Sequence, residues 1–124
     1  MDLSQLETEI NKMKADTLSM YGNKIDMTRE YIKKEKRLIN RKEKILFKIN
    51  SKLDGKVKRK KKKILKKLQE KLQKDIQNHK DQYQKLQKLE NKFIDEYKEQ
   101  REALGLYDHS FVDKYFDKNS QSQQ

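Results

Sequence analysis

Residues 24–53 read KIDMTREYIKKEKRLINRKEKILFKINSKL, and an apolar residue returns in this stretch at every seventh position. These positions are Ile25, Ile32, Ile39, Leu46 and Leu53. A period of seven places the five side chains along one stripe of an α-helix, as in helices that pack side by side in coiled coils. Tyr31, Leu38 and Ile45 widen the stripe, which favours packing against more than one helix. The stretch therefore predicts a long amphipathic helix.

Composition supports long helices over the whole chain. Of the 124 residues, 32% are hydrophobic and 42% are charged, whereas globular domains average about 45–50% and about 25%. Proline is absent and only three glycines occur, so the strongest helix breakers are nearly missing. We therefore predict an all-α fold, an elongated coiled coil whose helices each bury a narrow stripe.

A second coiled-coil helix is predicted over 56–104, after the Asp54-Gly55 pair, which has turn chemistry. Its apolar residues recur at spacings of three and four, and together with the first stripe they form the predicted partner-helix seam. The seam comprises Ile25, Ile32, Ile39, Leu46, Leu53, Leu65, Leu68, Leu72 and Ile76. A helical hairpin that turns near Gly55 is favoured. One long near-continuous helix is the alternative, since a single interior Gly costs only about 1 kcal/mol relative to Ala.

The chain ends are predicted to form two further segments. An N-terminal helix over 1–22 starts with a Ser4/Glu7 capping box. Its pattern breaks at Tyr21-Gly22-Asn23, which is either a turn or only a weakened stretch of helix, and a coiled-coil helix over 23–55 follows. The heptad seam of the N-terminal helix comprises Leu3, Leu6, Ile10, Met13, Thr17 and Met20. The basic-start helix over 56–104 is predicted to stop at Gly105.

Residues 105–124 are predicted to form an aromatic docking segment with a polar tail. Ser110 and Asp113 have the spacing of a helix-capping signal. The following aromatic and branched side chains would share one face of a short helix, which needs an apolar surface to hold it in water. These docking-anchor residues are Phe111, Val112, Tyr115 and Phe116. They pack either on the protein's own helices or in a groove of a partner.

Positive charge is concentrated in the middle of the chain. The net charge is +12, and residues 32–74 hold 20 basic against 4 acidic residues. The densest part, here called the lysine block, comprises Lys56, Lys58, Arg59, Lys60, Lys61, Lys62, Lys63, Lys66 and Lys67. Like charges one helical turn apart repel one another, and a bound polyanion would relieve that repulsion. A localisation signal and a merely solvated charge run remain open alternatives.

Several classes of function are disfavoured by the residues present. Cysteine is absent, and the two histidines, His79 and His109, lie far apart in the sequence without a ligand cluster. No phosphate-binding glycine loop and no hydrolase or zinc motif occurs. We therefore predict a protein that is not an enzyme and carries no cofactor or metal. Because no apolar stretch approaches the roughly 20 residues of a membrane span, we expect an intracellular protein, cytoplasmic or cytoskeletal, with the nucleus also open.

The pattern as a whole predicts a coiled-coil structural or adaptor subunit of a larger protein assembly. Charged residues such as Glu35 and Lys42 fall where a strict seam is apolar, and polar seam positions often select a partner, so we expect heteromeric helix packing. The lysine block would dock on an acidic protein surface, for which a microtubule is one candidate. The alternative is a sequence-nonspecific RNA- or DNA-associated protein, such as a ribosome-associated factor. A membrane partner is the weakest reading, because no broad apolar face adjoins the lysines.

Overall fold

The computed structural model describes the backbone of residues 2–121 and the side chains of residues 2–116. Three helices follow one another: α1 (Leu3–Leu53), α2 (Arg59–Ala103) and α3 (Ser110–Gln121). The described part of the chain contains no strand. The prediction of an all-α fold is confirmed.

Helix α1 begins with a capping box that the sequence reading placed two residues too late. The Asp2 carboxylate accepts a hydrogen bond from the Gln5 amide at 2.8 Å, and the Gln5 side chain accepts one from the Asp2 amide at 3.4 Å. This reciprocal pair satisfies two amides that have no partner within the helix. The predicted Ser4/Glu7 box is wrong, since Ser4 already lies inside α1.

Gly22 and Gly55 could each interrupt a helix, but only Gly55 lies where a helix ends. Helix α1 runs through Gly22 without a break, so the separate helices predicted for 1–22 and 23–55 are one helix. A lone interior Gly lowers helix stability by only about 1 kcal/mol, which the flanking residues outweigh. At Gly55 the helix has already ended at Leu53, and α2 starts only at Arg59. The alternative of a near-continuous helix through Gly55 is therefore wrong.

The chain forms two compact units. Unit 2 covers Tyr31–Gln87 and contains the end of α1 and the start of α2. Polar side chains of the two helices meet in reversed order: Glu35 with His79, Lys42 with Asp75, and Asn50 with Gln69. These contacts are consistent with a helical hairpin. Its buried apolar residues are Ile32, Ile39, Ile49, Leu65 and Ile76.

Unit 1 contains the described residues up to Glu30 and from Lys88 onwards. Its core consists of Ile25, Val112 and Phe116, which are all buried. Partly buried side chains of α2 pack against this core: Phe93, Ile94 and Tyr97. Helix α3 thus contributes two of the three fully enclosed side chains, so this short helix closes the core of unit 1.

Helix α2 ends just before Gly105, and the backbone conformation of Gly105 turns the chain towards α3. Its φ of +85° lies in the left-handed region that residues with a Cβ rarely adopt. The Leu106 amide donates to the Arg101 carbonyl at 2.8 Å, and the Gly105 amide donates to the Glu102 carbonyl at 2.9 Å. Both bonds belong to the Schellman motif, which satisfies carbonyls at a helix end. The predicted stop at Gly105 is confirmed.

Helix α3 is capped by a residue that the sequence reading did not choose. The Asp108 carboxylate accepts a hydrogen bond from the Ser110 amide at 3.0 Å. Hydrogen bonds from the Ser110 backbone and side chain hold the pKa of Asp108 below its ordinary value. The predicted Ser110/Asp113 capping signal is wrong: Ser110 is the first residue of α3, and Asp113 forms an ion pair with Lys98 at 2.6 Å.

Candidate interaction surfaces

Most of the predicted seam is covered by the chain's own helices. Ile25, Ile32, Ile39, Leu65 and Ile76 are buried. Three further members are half-buried: Leu46, Leu53 and Leu72. Burial of such side chains stabilises a fold by about 1.5–3 kcal/mol each. The seam residues therefore pack against other helices of the same chain.

Leu68 is the one predicted seam residue that lies outside the buried stripe. Its side chain is 44% exposed, whereas Gln69 is half-buried and donates a 2.7 Å hydrogen bond to the Asn50 amide oxygen. The covered positions of α2 are thus 65, 69, 72 and 76, at spacings of four, three and four. Leu68 is thus not covered by α1, and residue type alone could not show that the polar amide of Gln69 faces α1 instead.

The polar positions in the seam find partners on the opposite helix of unit 2. The Glu35 carboxylate lies 2.6 Å from His79 Nδ1, and both side chains are about three-quarters buried or more. Lys42 Nζ lies 3.4 Å from the Asp75 carboxylate. Such pairs disfavour other registers, because a slip would leave partly buried polar groups without a partner. Glu35 and Lys42, expected to select a partner chain, are therefore paired internally.

A buried arginine joins the three helices of unit 1. Arg29 of α1 is only 4% exposed. Its guanidinium donates a hydrogen bond to the Phe116 carbonyl, lies over the Phe116 ring at 4.9 Å and lies 3.5 Å from the Glu90 carboxylate. A planar guanidinium with several donors suits this combination of ring, carbonyl and carboxylate. The sequence reading missed Arg29 and Glu90, although Arg29 lies between Ile25 and Ile32 at stripe spacing and Glu90 lies between Leu86 and Phe93 in the same way. Charged side chains are rarely buried, so the spacing alone did not mark them.

The predicted docking anchor divides into two faces of α3. Val112 and Phe116 are buried in the core of unit 1, with Phe116 in edge-to-face contact with Tyr97 at 6.4 Å. Phe111 and Tyr115 are 65% and 47% exposed, and their rings stack at 6.3 Å with an interplanar angle of 21°. Two of the four residues therefore hold α3 on its own protein, and two remain on the surface.

All nine residues of the lysine block are exposed. None of the carboxylates whose side chains the structure describes forms an ion pair with them. The first turn of α2, where the block continues, contains no acidic residue. Since the amino end of a helix carries partial positive charge, the helix adds to the positive potential of the block.

A shallow hollow lies at the turn between α1 and α2, and the first residues of the lysine block form part of its lining. Val57 and Leu65 supply the apolar part of its lining. The full lining comprises Lys52, Lys56, Val57, Lys58, Lys61 and Leu65. Lys52 lies in the last turn of α1, and the turn brings it beside the block. Sequence reasoning left Lys52 out because it precedes the dense run.

The first part of α1 carries an apolar stripe that no described residue covers. The exposed fractions are 82% for Leu3, 45% for Leu6, 43% for Ile10, 67% for Met13 and 49% for Met20. Between residues 2 and 20 only Lys14, Thr17 and Leu18 are half-buried. The heptad spacing predicted here is thus present in a helix without a partner. We call the five exposed residues the N-terminal stripe.

Other hollows lie on the surface of the described residues. One of them is lined by Asn40, Glu43, Lys44, Phe47 and Lys48, all on one face of α1. Over the described residues, no group of three or more metal-binding side chains comes together. No helix among them has the length and apolar character required to traverse a bilayer. The surfaces described above are the candidate interaction sites of the described residues.

Comparison with known proteins identifies no matching family model, no similar curated protein and no matching solved structure.

Proposed function

We propose that this protein is a non-enzymatic adaptor or structural subunit of a larger protein assembly, and that its lysine block docks on an acidic protein surface. The observation that carries the proposal is the exposure of all nine basic side chains of the block, with no acidic partner among the side chains of residues 2–116. A chain that buries a seam and leaves this charge uncovered is suited to contact other macromolecules.

Within unit 2, α1 and α2 form an antiparallel coiled-coil hairpin in this proposal, with the lysine block at its turn. The reversed order of the polar pairs supports it, as does burial of Ile32 and Ile39 one heptad apart. Because the block is attached to two packed helices, its conformation is fixed before docking. Binding therefore costs less conformational entropy.

Electrostatics makes the block a binding surface for anions. Lys62 and Lys66, and likewise Arg59 and Lys63, lie four residues apart within α2, a spacing at which like charges destabilise a helix. The positive end of the α2 dipole adds to this repulsion. An acidic surface relieves both effects on contact, and it also releases the counterions that surround the lysines.

The residue types favour a protein surface over specific reading of nucleic acid bases. Eight of the nine residues are lysine, a flexible point charge that lacks the planar fork of arginine. No aromatic residue interrupts the block, whereas single-stranded nucleic acids are bound with the help of base stacking. An acidic, extended protein polymer such as a microtubule matches this chemistry, in the cytoplasm or on the cytoskeleton. A nucleic acid backbone is the competing outcome that the test must separate.

The test compares two variants with the same net charge in co-sedimentation with microtubules. One replaces Lys60, Lys61, Lys62 and Lys63 with glutamine. The matched control replaces Lys34, Lys44, Lys71 and Lys74, which are also exposed and lie in unit 2. We expect the block variant to lose at least about tenfold in affinity and the control less than about threefold, because clustered charges contribute most where they act together.

The same proteins are then titrated with mixed-sequence RNA and duplex DNA. The proposal fails if microtubules are not bound at about 150 mM salt while RNA or DNA is bound with the steep salt dependence of phosphate contacts. In that case the nucleic-acid-associated alternative replaces it. Equal losses in the two variants would also contradict it, since the effect would then follow from overall charge.

A further inference from the structure

The N-terminal stripe is an incomplete helix–helix interface. Leu3, Leu6, Ile10 and Met13 follow one another at spacings of three, four and three residues, and Met20 continues the same pattern. This alternation gives the a and d positions of a left-handed coiled coil, in which each side chain inserts between four residues of a facing helix. All five are exposed. A helix with this stripe buries it only when a second helix lies alongside.

The charges beside the stripe indicate which kind of helix fits. With Leu3 and Ile10 at position a, the g positions are Asp2, Glu9 and Asp16. One flank of the stripe is therefore uniformly acidic. The opposite flank, at the e positions, carries Glu7, Lys14 and Tyr21. No ion pair within the described side chains involves Glu7, Glu9 or Asp16. Flanking charges of this kind decide which helices pair and in which orientation.

A second copy of the chain is a poor occupant. In an antiparallel pair the g flank faces its own counterpart, so Asp2, Glu9 and Asp16 would meet carboxylates. In a parallel pair Asp2 faces Glu7 of the other copy, and only Glu9 meets an opposite charge, at Lys14. Like charges across a helix pair act against association. A helix with lysine or arginine beside its own apolar seam meets the acidic flank with opposite charge instead.

We infer that the first five turns of α1 are a docking site for one amphipathic helix of another protein, with an apolar heptad seam and basic flanking residues. This inference rests on the adaptor function proposed above, for which it names a second partner class. The stripe and the lysine block have opposite local charge and lie in different units. They therefore recruit partners of opposite charge.

The experiment uses the full chain and two designed helical peptides of three heptads. Both peptides carry leucine at a and d. One has lysine at e and g, and the other has glutamate there. The chain carries glutamine at Lys60 to Lys63 in this comparison, so that the lysine block binds the glutamate peptide less. Fluorescence anisotropy at about 150 mM salt is expected to show at least about tenfold tighter binding of the lysine peptide, with the preference decreasing as salt rises.

Two double variants test where the peptide binds. Replacing Ile10 and Met13 with serine is expected to weaken binding of the lysine peptide by at least about tenfold. The matched control replaces Met27 and Tyr31 with serine. Both are exposed residues of α1 outside the stripe, at 61% and 54%, so binding should be unchanged. Circular dichroism establishes that both variants keep their helix content.

A charge reversal tests the acidic flank. The double variant Glu9→Lys and Asp16→Lys is expected to prefer the glutamate peptide. Equal binding of the two peptides to the chain with glutamine at Lys60 to Lys63, or no loss of lysine-peptide binding in the Ile10/Met13 variant, would overturn the inference. So would self-association of the purified chain that the Ile10/Met13 variant abolishes in sedimentation velocity, since the occupant would then be a second copy.

The two proposals fail separately. The glutamine variant of Lys60 to Lys63 is expected to bind the lysine peptide as the unmodified chain does. If microtubule binding is absent while the lysine peptide binds to the stripe, the acidic-surface proposal is lost and the docking site stands. If the lysine peptide fails to bind while the block binds microtubules, the docking site is lost and the proposed function stands.

Discussion

The two units use the same pair of long helices in different ways. Unit 1 has 10 basic and 14 acidic residues, a net charge of −4, while unit 2 has 22 basic and 6 acidic residues, a net charge of +16. Unit 1 encloses a few large side chains beneath a third helix. Unit 2 distributes its burial along a stripe, with polar pairs between the apolar positions. Stability is therefore concentrated at few residues in unit 1 and spread over many in unit 2.

The strongest test of this contrast is a pair of substitutions on α3. Phe116→Ala removes a ring that is 4% exposed and contacts Tyr97 and Arg29, so we expect a loss of about 3–5 kcal/mol in the free energy of unfolding. Phe111→Ala removes a ring that is 65% exposed and should cost less than about 1 kcal/mol. Urea denaturation followed by circular dichroism measures both. Similar losses for the two variants would show that α3 does not close the core as described.

A smaller effect is expected for the matched leucines of α2 in unit 2. Leu65 is 8% exposed and Leu68 is 44% exposed. Leu65→Ala should lower the free energy of unfolding by about 2–3 kcal/mol, near the low end for buried leucines, because the stripe is narrow and open to solvent on its sides. Leu68→Ala should cost less than about 1 kcal/mol. A larger loss in the free energy of unfolding for Leu68→Ala than for Leu65→Ala would show that Leu68 is a seam residue, as the sequence predicted.

The smallest effect concerns pH and the cap of α3. The folded-state pKa of Asp108 is lowered from its ordinary value of 3.8 by hydrogen bonds from Ser110. A lowered folded pKa means that the stabilisation is fully present above the unfolded value and is lost as pH falls through the folded value. We therefore expect the stability advantage of the unmodified chain over Asp108→Asn to be small near neutrality, to decrease as pH falls below about 4, and to be lost once pH is below the lowered folded pKa. An advantage that stays constant across this range would contradict the assignment.

Local sequence patterns predicted where the helices lie, but they did not predict which residues cap them. The heptad of Ile25, Ile32 and Ile39 predicted a long helix that the structure contains, because a stripe of this period can be buried only in helical conformation. The caps lie at Asp2 and Asp108, each two residues before the Ser that the sequence reading chose. Several residues near each helix start can accept an amide hydrogen bond, so the pattern alone did not decide among them.

The sequence predicted some residues of the candidate surfaces and missed others, because only some of them are neighbours in the sequence. The lysine block is contiguous in sequence, so its residues could be named without a structure, whereas Lys52 joins it only through the turn after Leu53. The four aromatic-segment residues share a short helix, yet only Val112 and Phe116 face the core. Which side of a short helix is covered depends on its approach to the other helices, and that approach is a non-local property.

The amino-acid sequence by itself determined that the chain is helical, where its positive charge collects and which residues line each stripe, because period, propensity and charge are local properties. The tertiary structure decided which stripe is covered. Leu3 to Met20 and Ile25 to Leu53 have the same kind of spacing, yet the first stripe is exposed while the second is buried or half-buried. Burial requires a neighbouring helix, and α2 and α3 lie only where the turns at Gly55 and Gly105 direct them.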